Sequence, residues 1–428
     1  MRAPRWRNRA IGAPELERSG GLKGWDQMLN VKEMGEAPAS AQDLAPGPDE
    51  HWPFYAEDEI EAVAQVLRSG RVNQWTGGEV FAFQDALART FGGEHCIALA
   101  NGSLALELAL RVFGIGPGDE VVTTPRTFVA SATSAMLLGA TPVFADVDPD
   151  SGNITAETIE AVLTERTRAI IPVHLGGWPC DMPAIMELAE RRGLFVIEDC
   201  AQSHGAEIEG RPAGSFGHAA AFSFCQDKII TTGGEGGAVL FKDEAAFEQA
   251  WSFKDHGKNR GKVNTPPAAP GFRWLHDSVG TNWRLTGPQA AIGLMQLAKL
   301  DEWRSARTRN AGIWAQALAN QPGVRVPIPE ERFRHAYYRL NFHLRPGAEG
   351  AREEILARAG EAGLRLFTGS CSEVYLEEAF RDLPRPDLPN ARAMTRNSLA
   401  VETHPTLRPE RLRLRAEKLA ELIRTVVG

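Results

Sequence analysis

The sequence predicts an α/β protein with a mostly parallel central sheet covered by helices on both faces, and a smaller C-terminal α+β lobe. Three observations carry this prediction. Between residues 96 and 198, short apolar runs rich in β-branched residues alternate with helical stretches long enough to cross back over a sheet. A strand-like run ending at Ser223 is followed by a single lysine, Lys228, and then by a glycine-rich turn at residues 233–237. Beyond residue 300 the alternation stops, and helical periodicity dominates with one strand-like stretch in between.

Length and charge narrow the classes. At ~150 residues per lobe the 428-residue chain makes two or three lobes. The pattern divides it into a tail at 1–53, a large domain at 54–300 and a small domain at 301–428. A formal net charge of -8 excludes a general nucleic-acid or membrane-surface binder, which needs a basic face. Any anionic ligand must then be held by local donors. No apolar run reaches the ~18 residues of a membrane span. Cys96, Cys180, Cys200, Cys225 and Cys371 are odd in number and lack metal-ligand spacing. They point to a reducing, cytoplasmic setting, with neither a disulfide framework nor a metal site. In the tail, an arginine-rich start is not followed by the apolar segment of a secretory signal. The Pro/Ala-rich run after Glu36 offers little to bury, and Met28 or Met34 is an alternative start.

The elements follow in order. Ile60, Val63, Ala64 and Leu67 share one face of a helix that Gly70 closes, and Val80, Phe83, Leu87 and Phe91 mark a second helix. Strands are expected at 96–100, 120–124, 141–146, 169–173 and 194–198, with helices at 104–112, 127–138, 155–163 and 182–192. A long helix runs from Ala290 to Trp303, a strand spans 335–343, and helices cover 352–362 and 411–427. The stretch 367–375 reads as a loop, with Tyr375, His335 and Tyr338 as candidates for a substrate mouth or for ordinary packing.

In open parallel sheets ligands bind at the carboxyl ends of the strands, so the residues there carry the functional argument. Asn101-Gly102-Ser103 opens a helix whose free N–H groups suit an anion, and also serves as a plain N-cap. Phe128 suits stacking on a flat ring, or core packing. Asp199 suits a helix cap or an ion pair with a protonated ring nitrogen. Ser223 and Lys228 end the next strand. Partial burial would lower the lysine's pKa and free its amine for Schiff-base formation with an aldehyde cofactor. A surface lysine, a cap and a core ring explain each residue singly. Together they are the groups that pyridoxal phosphate requires.

With these residues in place the chain resembles the DegT/DnrJ/EryC1/StrS sugar aminotransferases of pyridoxal-phosphate fold type I, from about His51 to about Pro405. The carriers are Asn101 to Leu106, Gly139 to Asp148, Glu198 to Gly205, Phe222 to Gly237, and Gly280 to Thr286 with Gln289 to Gly293. The resemblance implies that Lys228 carries the cofactor in Schiff-base linkage and that Asp199 pairs with its ring nitrogen. Gln202 and Phe128 would bracket the ring, while Gly102, Ser103 and Ser223 would bind the phosphate. Asn282 and Arg284 match positions that reach cofactor or substrate from a partner subunit, which implies a homodimer with shared sites. The segment between Trp251 and Gly280 is longer than in many members. Its Lys254, Lys258, Arg260 and Lys262 are candidates for the phosphates of a nucleotide-linked keto-sugar, or a solvated charge run.

The implied reaction takes an amino group from L-glutamate to such a keto-sugar, for a surface polysaccharide or a secondary metabolite. Two other readings stand beside it. Family dehydratases replace the lysine with histidine, and Lys228 argues against that reading here. A non-catalytic cofactor-binding regulator would call for a nucleic-acid-binding helix, and no such pattern is evident.

Overall fold

The computed structural model describes residue 47 and residues 49–267, 270–369 and 373–428. Residues 1–46 of the expected tail, and Cys371, lie outside the described residues. Helices α1 (Glu57–Ser69) and α2 (Glu79–Phe91) lead into a seven-stranded sheet. Its strands are β1 (His95–Leu99), β2 (Glu120–Thr123), β3 (Thr141–Phe144), β4 (Thr167–Ile171) and β5 (Phe195–Asp199), then β8 (Ala219–Ser223) and β9 (Gly237–Phe241). A short hairpin of β6 (Glu207–Ile208) and β7 (Arg211–Pro212) lies outside it.

The strand order is β1-β9-β8-β5-β4-β2-β3, and β9 alone runs against its neighbours. Helices α3 (Gly102–Val112), α4 (Ala130–Met136), α5 (Ala156–Glu160), α6 (Met182–Arg192) and α7 (Glu244–Lys254) make the crossovers. Period-2 alternation sorts the strand residues between two cores. Ile97, Leu99, Ala219, Ala221, Val239 and Phe241 pack with α3 and α7. Their neighbours Cys96, Ala98, Ala220, Phe222, Ala238 and Leu240 pack with Phe83, Leu87 and Phe91 of α2. Central strands buried on both faces, as here, are what a parallel sheet demands.

The C-terminal part follows a short α8 (Arg260–Asn264) and α9 (Gly287–Ala298). It comprises α10 (Leu300–Leu318), β10 (Val324–Arg325), β11 (Phe333–Arg334), β12 (Arg339–Leu344), α11 (Arg352–Glu361), α12 (Pro389–Asn397), β13 (Ser398–Glu402) and α13 (Pro409–Val427). Strands β10, β12 and β13 form an antiparallel sheet, packed with α10 and α13 around Trp314, Phe342, Leu399 and Ile423. Among the described residues no helix is long and apolar enough to cross a membrane.

Four expectations need correction. Helix α1 exists, but it packs on α9 through Glu59 and Val66, which leaves Ile60 51% and Leu67 59% exposed. The expected long helix is two helices, parted at Lys299, whose ammonium binds Asp58 and Glu59 of α1. Residues 335–338 are not strand. Tyr337 takes φ 47, and the Ala336 N–H donates to the Gly177 carbonyl at 2.8 Å. Lastly, residues 49–53 are packed rather than tail. The buried Glu50 carboxylate accepts from Arg415 at 2.7 Å and from the backbone N–H groups of Arg408 and Gly47 at 2.9 and 2.8 Å. A buried carboxylate needs such donors.

Three buried histidines set an acid limit. Burial pulls His204, His335 and His343 down to about 3, so the fold holds them neutral. The unfolded chain protonates the same side chains near the ordinary value of about 6.5. Their stabilisation is therefore complete above that pH and is lost as pH falls from about 6.5 toward about 3. The urea midpoint should drop steadily across this interval, by up to about 1.4 kcal/mol of stability per pH unit for each histidine. A midpoint flat from pH 6.5 to pH 4.5 would contradict the neutral burial.

Candidate active site

The carboxyl ends of β1, β2, β5 and β8 meet at one sheet edge, and the strand-end residues singled out in the sequence gather there. The arrangement starts from Glu198, inside β5. Its Oε1 accepts the N–H groups of Phe216 and Gly217 at 2.8 and 2.7 Å, and its Oε2 accepts that of Gly214 at 2.8 Å and His174 Nε2 at 3.1 Å. His174 Nδ1 accepts the Cys180 N–H at 3.0 Å, so Nε2 is the nitrogen that carries the hydrogen. Burial pushes the Glu198 carboxyl up, but His174 and these N–H groups outweigh it and hold it below the ordinary range. His174, Glu198 and Cys200 stand close enough to suggest a metal, yet the imidazole and the carboxylate are already committed to hydrogen bonds.

With that strand end fixed, Asp199 points its side chain the opposite way. Its Oδ2 accepts the Ser131 hydroxyl at 2.7 Å and its Oδ1 accepts the Ala201 N–H at 3.1 Å. Thr127 Oγ1 lies 2.7 Å from Ser131 Oγ, which extends the chain of hydroxyls to the loop after β2. Burial pushes Asp199 above the usual carboxylate range, and these donors offset it only in part.

Lys228 sits in the turn after β8. Its backbone N–H donates to Cys225 at 3.0 Å, and its carbonyl accepts Trp52 Nε1 at 2.8 Å. The ammonium lies 3.6 Å from Asp227 Oδ1 and 5.2 Å from the centroid of the Tyr338 ring. Burial favours the neutral amine, yet Tyr338, Asp227, Cys225 and Asp199 together hold Lys228 above the ordinary lysine range. Tyr338 is itself pushed up to about 12 and Cys225 is raised, so near neutral pH Asp227, held below the ordinary carboxylate range, supplies negative charge. The lowered lysine expected from burial alone is thus overturned by its neighbours.

Opposite the lysine turn lies the start of α3. Asn101 caps it by accepting the Leu104 N–H at 3.0 Å, while the first N–H groups, those of Gly102 and Ser103, have no acceptor within the helix. The backbone is tightly packed here. A Cβ on Gly102 would stand 2.6 Å from Ser223 Cβ, and one on Gly237 would stand 2.3 Å from the Asn101 carbonyl carbon. Phe128 is 58% exposed at this edge, and Gln202 Oε1 accepts the Gly176 N–H at 2.7 Å. This sheet edge thus offers a helix N-terminus, an exposed aromatic ring, a buried carboxylate and an amine at the ends of its strands. That donor set fits pyridoxal phosphate.

The other candidates land variously. Asn282 and Arg284 lie beside the carboxyl end of β1 of their own chain, through bridges Leu99↔Arg284 and Asp255↔Asn282. Arg284 and Lys258 share Asp255 Oδ1, at 2.7 and 3.0 Å. Arg260 is not brought into this cluster, since it pairs with Glu248 over the Phe247 ring, and Lys262 pairs with Asp277. The expected positive loop is therefore balanced by acids from its own neighbourhood. His335 is buried, its Nδ1 accepting the Tyr337 N–H at 2.7 Å, and Tyr375 is buried with its hydroxyl on Glu373. Tyr375 nonetheless borders an open groove with Leu376, Arg385 and Arg392. Tyr338 gives its hydroxyl to Asp227. Ser131, His174, Asp227 and Asp255 escaped the sequence reading. For Ser131 a signal existed, one helical turn after Thr127.

Comparison with known proteins matches residues 53–419 to the DegT/DnrJ/EryC1/StrS aminotransferase family. GDP-perosamine synthase of Caulobacter vibrioides is 38% identical over 77% of this chain and 86% of its own length. dTDP-3-amino-3,4,6-trideoxy-alpha-D-glucose transaminase of Streptomyces venezuelae is 35% identical over 82% of this chain and 89% of its own. Among solved structures, the aminotransferase from Psychrobacter cryohalolentis superposes with a TM-score of 0.85 at 44% identity, over 88% of this chain and 99% of that one. A parallel sheet of this order, with an aspartate and a lysine at adjacent strand ends, accords with that likeness. The chain belongs to the DegT/DnrJ/EryC1/StrS aminotransferases, enzymes of fold type I that depend on pyridoxal phosphate.

Proposed function

We propose that the chain transfers an amino group from L-glutamate to a 3-keto or 4-keto hexose carried on a nucleotide diphosphate. What supports this reading most is that Lys228, Asp199 and the α3 N-terminus all follow strand ends at one edge of the sheet. The relatives' named products, a GDP-linked and a dTDP-linked amino sugar, support the substrate class.

Pyridoxal phosphate supplies an aldehyde that receives the amino group and a ring that accepts the electrons of a deprotonated carbon. The residues of the chain do the rest. Gly102 and Ser103, with Ser223, would hold the phosphate at the α3 N-terminus, where the helix dipole favours an anion. Phe128 and Gln202 would flank the ring. Asp199 would keep the ring nitrogen protonated, with Ser131 orienting its carboxylate. Lys228 would join the aldehyde and, as a free amine, would serve as the base and acid that moves the donor's α-proton. Arg284 and Lys258, oriented by Asp255, offer cations to substrate anions.

A homodimer with shared sites completes the reading. Ile60, Leu67, Trp274 and Val279 are 51%, 59%, 83% and 91% exposed, apolar side chains that a second copy could cover.

Three outcomes follow. With ¹⁵N-labelled L-glutamate, label should enter a nucleotide-linked keto-hexose and fail to enter free keto acids other than the donor's own product; equal labelling of both would overturn the substrate class. Gly102→Ala should weaken cofactor binding by ~10-fold or more without altering the circular dichroism spectrum, because its methyl collides with Ser223. Unchanged affinity would remove Gly102 from the cradle. Mixed Lys228→Ala and Arg284→Ala chains, each inactive alone, should regain activity through dimers that keep one intact site, and no recovery after proven subunit exchange would end the shared-site reading.

A further inference from the structure

Asp227 precedes the lysine and stands outside the proposed amino transfer. Its Oδ2 accepts the Tyr338 hydroxyl, which arrives from the start of β12 111 residues further along the chain. Its Oδ1 stands 3.6 Å from Lys228 Nζ, while the Tyr338 ring covers the same ammonium at 5.2 Å. Arg339 also lies over that ring, at 5.5 Å. The backbone of the turn is pinned by Trp52 on the Lys228 carbonyl and by the Cys225 carbonyl on the Lys228 N–H. A carboxylate oriented by a tyrosine and held beside a lysine on a pinned turn is more than an incidental surface pair.

We propose that Asp227, oriented by the Tyr338 hydroxyl, is a positioning residue that serves as counter-ion to the Lys228 ammonium whenever the lysine is not bound to cofactor. The proposal rests on reading Lys228 as the lysine that joins the cofactor. The proton balance is simple. A free Lys228 amine gains one proton from a substrate carbon and becomes an ammonium, Asp227 stays a carboxylate throughout, and Tyr338 keeps its proton. Asp227 stabilises the charged product of that transfer, which makes the amine a stronger base. It equally slows cofactor capture at neutral pH, since capture needs the neutral amine.

The groups facing Lys228 come from four elements: Asp227 and Cys225 on its own turn, Asp199 at the end of β5, Tyr338 and Arg339 at the start of β12, and His204 after β5. Of these, Tyr338, Asp227, Cys225 and Asp199 raise the lysine; Tyr338 and Cys225 are themselves pushed up, and Asp199 is the one expected to be occupied by the cofactor ring. That leaves Asp227 as the partner available throughout the cycle.

The test is competitive labelling of amines with acetic anhydride across pH in the full chain stripped of cofactor, read by mass spectrometry on the Lys228 peptide. Asp227→Asn should lower the midpoint of Lys228 labelling by about one pH unit, so that labelling at a fixed pH below it runs ~10-fold faster. Asp227→Glu, which restores the charge, should return the midpoint to within half a unit of the wild type. A midpoint unmoved in Asp227→Asn, with circular dichroism unchanged, overturns the proposal. Should that variant fail to fold, the wild-type chain decides: Lys228 must titrate above the ordinary lysine value of about 10.4, and a midpoint at or below that value overturns it as well. Failure of the underlying reading looks different, because added pyridoxal phosphate would then leave Lys228 labelling unprotected.

Discussion

An ionised carboxylate survives in a protein interior only when donors replace the water it has lost. Glu198 meets that condition with three backbone N–H groups and the imidazole of His174. This one saturated group ties the end of β5 to the loop before β8 and to the loop after β4. The two neighbouring strands that carry Asp199 and Lys228 therefore hold a fixed spacing. Removing the carboxylate would leave four donors without an acceptor, a cost that falls on the site as much as on stability. The catalytic edge is stiff because the residue behind it is fully bonded.

On the open side of that edge the charges are arranged in opposition rather than in excess. Lys228 faces Asp227 and Asp199, and Lys258 and Arg284 share Asp255. Such pairing suits a site whose ligand brings anions of its own. The cations are already aligned, and a phosphate or carboxylate need only displace one internal partner. The same economy would let an acidic protein take an anionic substrate. Net charge governs the far field, while affinity is decided within a few ångströms.

Much of the fold was legible in the sequence because its signals are local. Alternation at period two sorts Ile97 from Ala98 and Ala221 from Phe222, and the structure sends them to opposite cores. The rule that ligands sit at carboxyl ends of parallel strands placed Asn101 to Ser103, Phe128, Asp199 and Lys228 at one edge. What escaped depends on contacts through space. Helix α1 has apolar residues on two faces, and only its packing on α9 turns Val66 inward and Leu67 outward. The proton affinity of Lys228 depends on Tyr338, 111 residues beyond Asp227, and no window of local sequence contains both. The basic run from Lys254 to Lys262 looked positive because Glu248, Asp255 and Asp277 do not declare their partners until the chain folds.

The central claim is that Lys228, and no other lysine, joins the cofactor at this sheet edge. Borohydride reduction of the enzyme saturated with pyridoxal phosphate, followed by proteolysis and mass spectrometry, tests it directly. The account predicts a single reduced adduct on the peptide containing Lys228, lost in Lys228→Ala. An adduct on the buried Lys254, or one spread over several surface lysines with Lys228 unmodified, would contradict it.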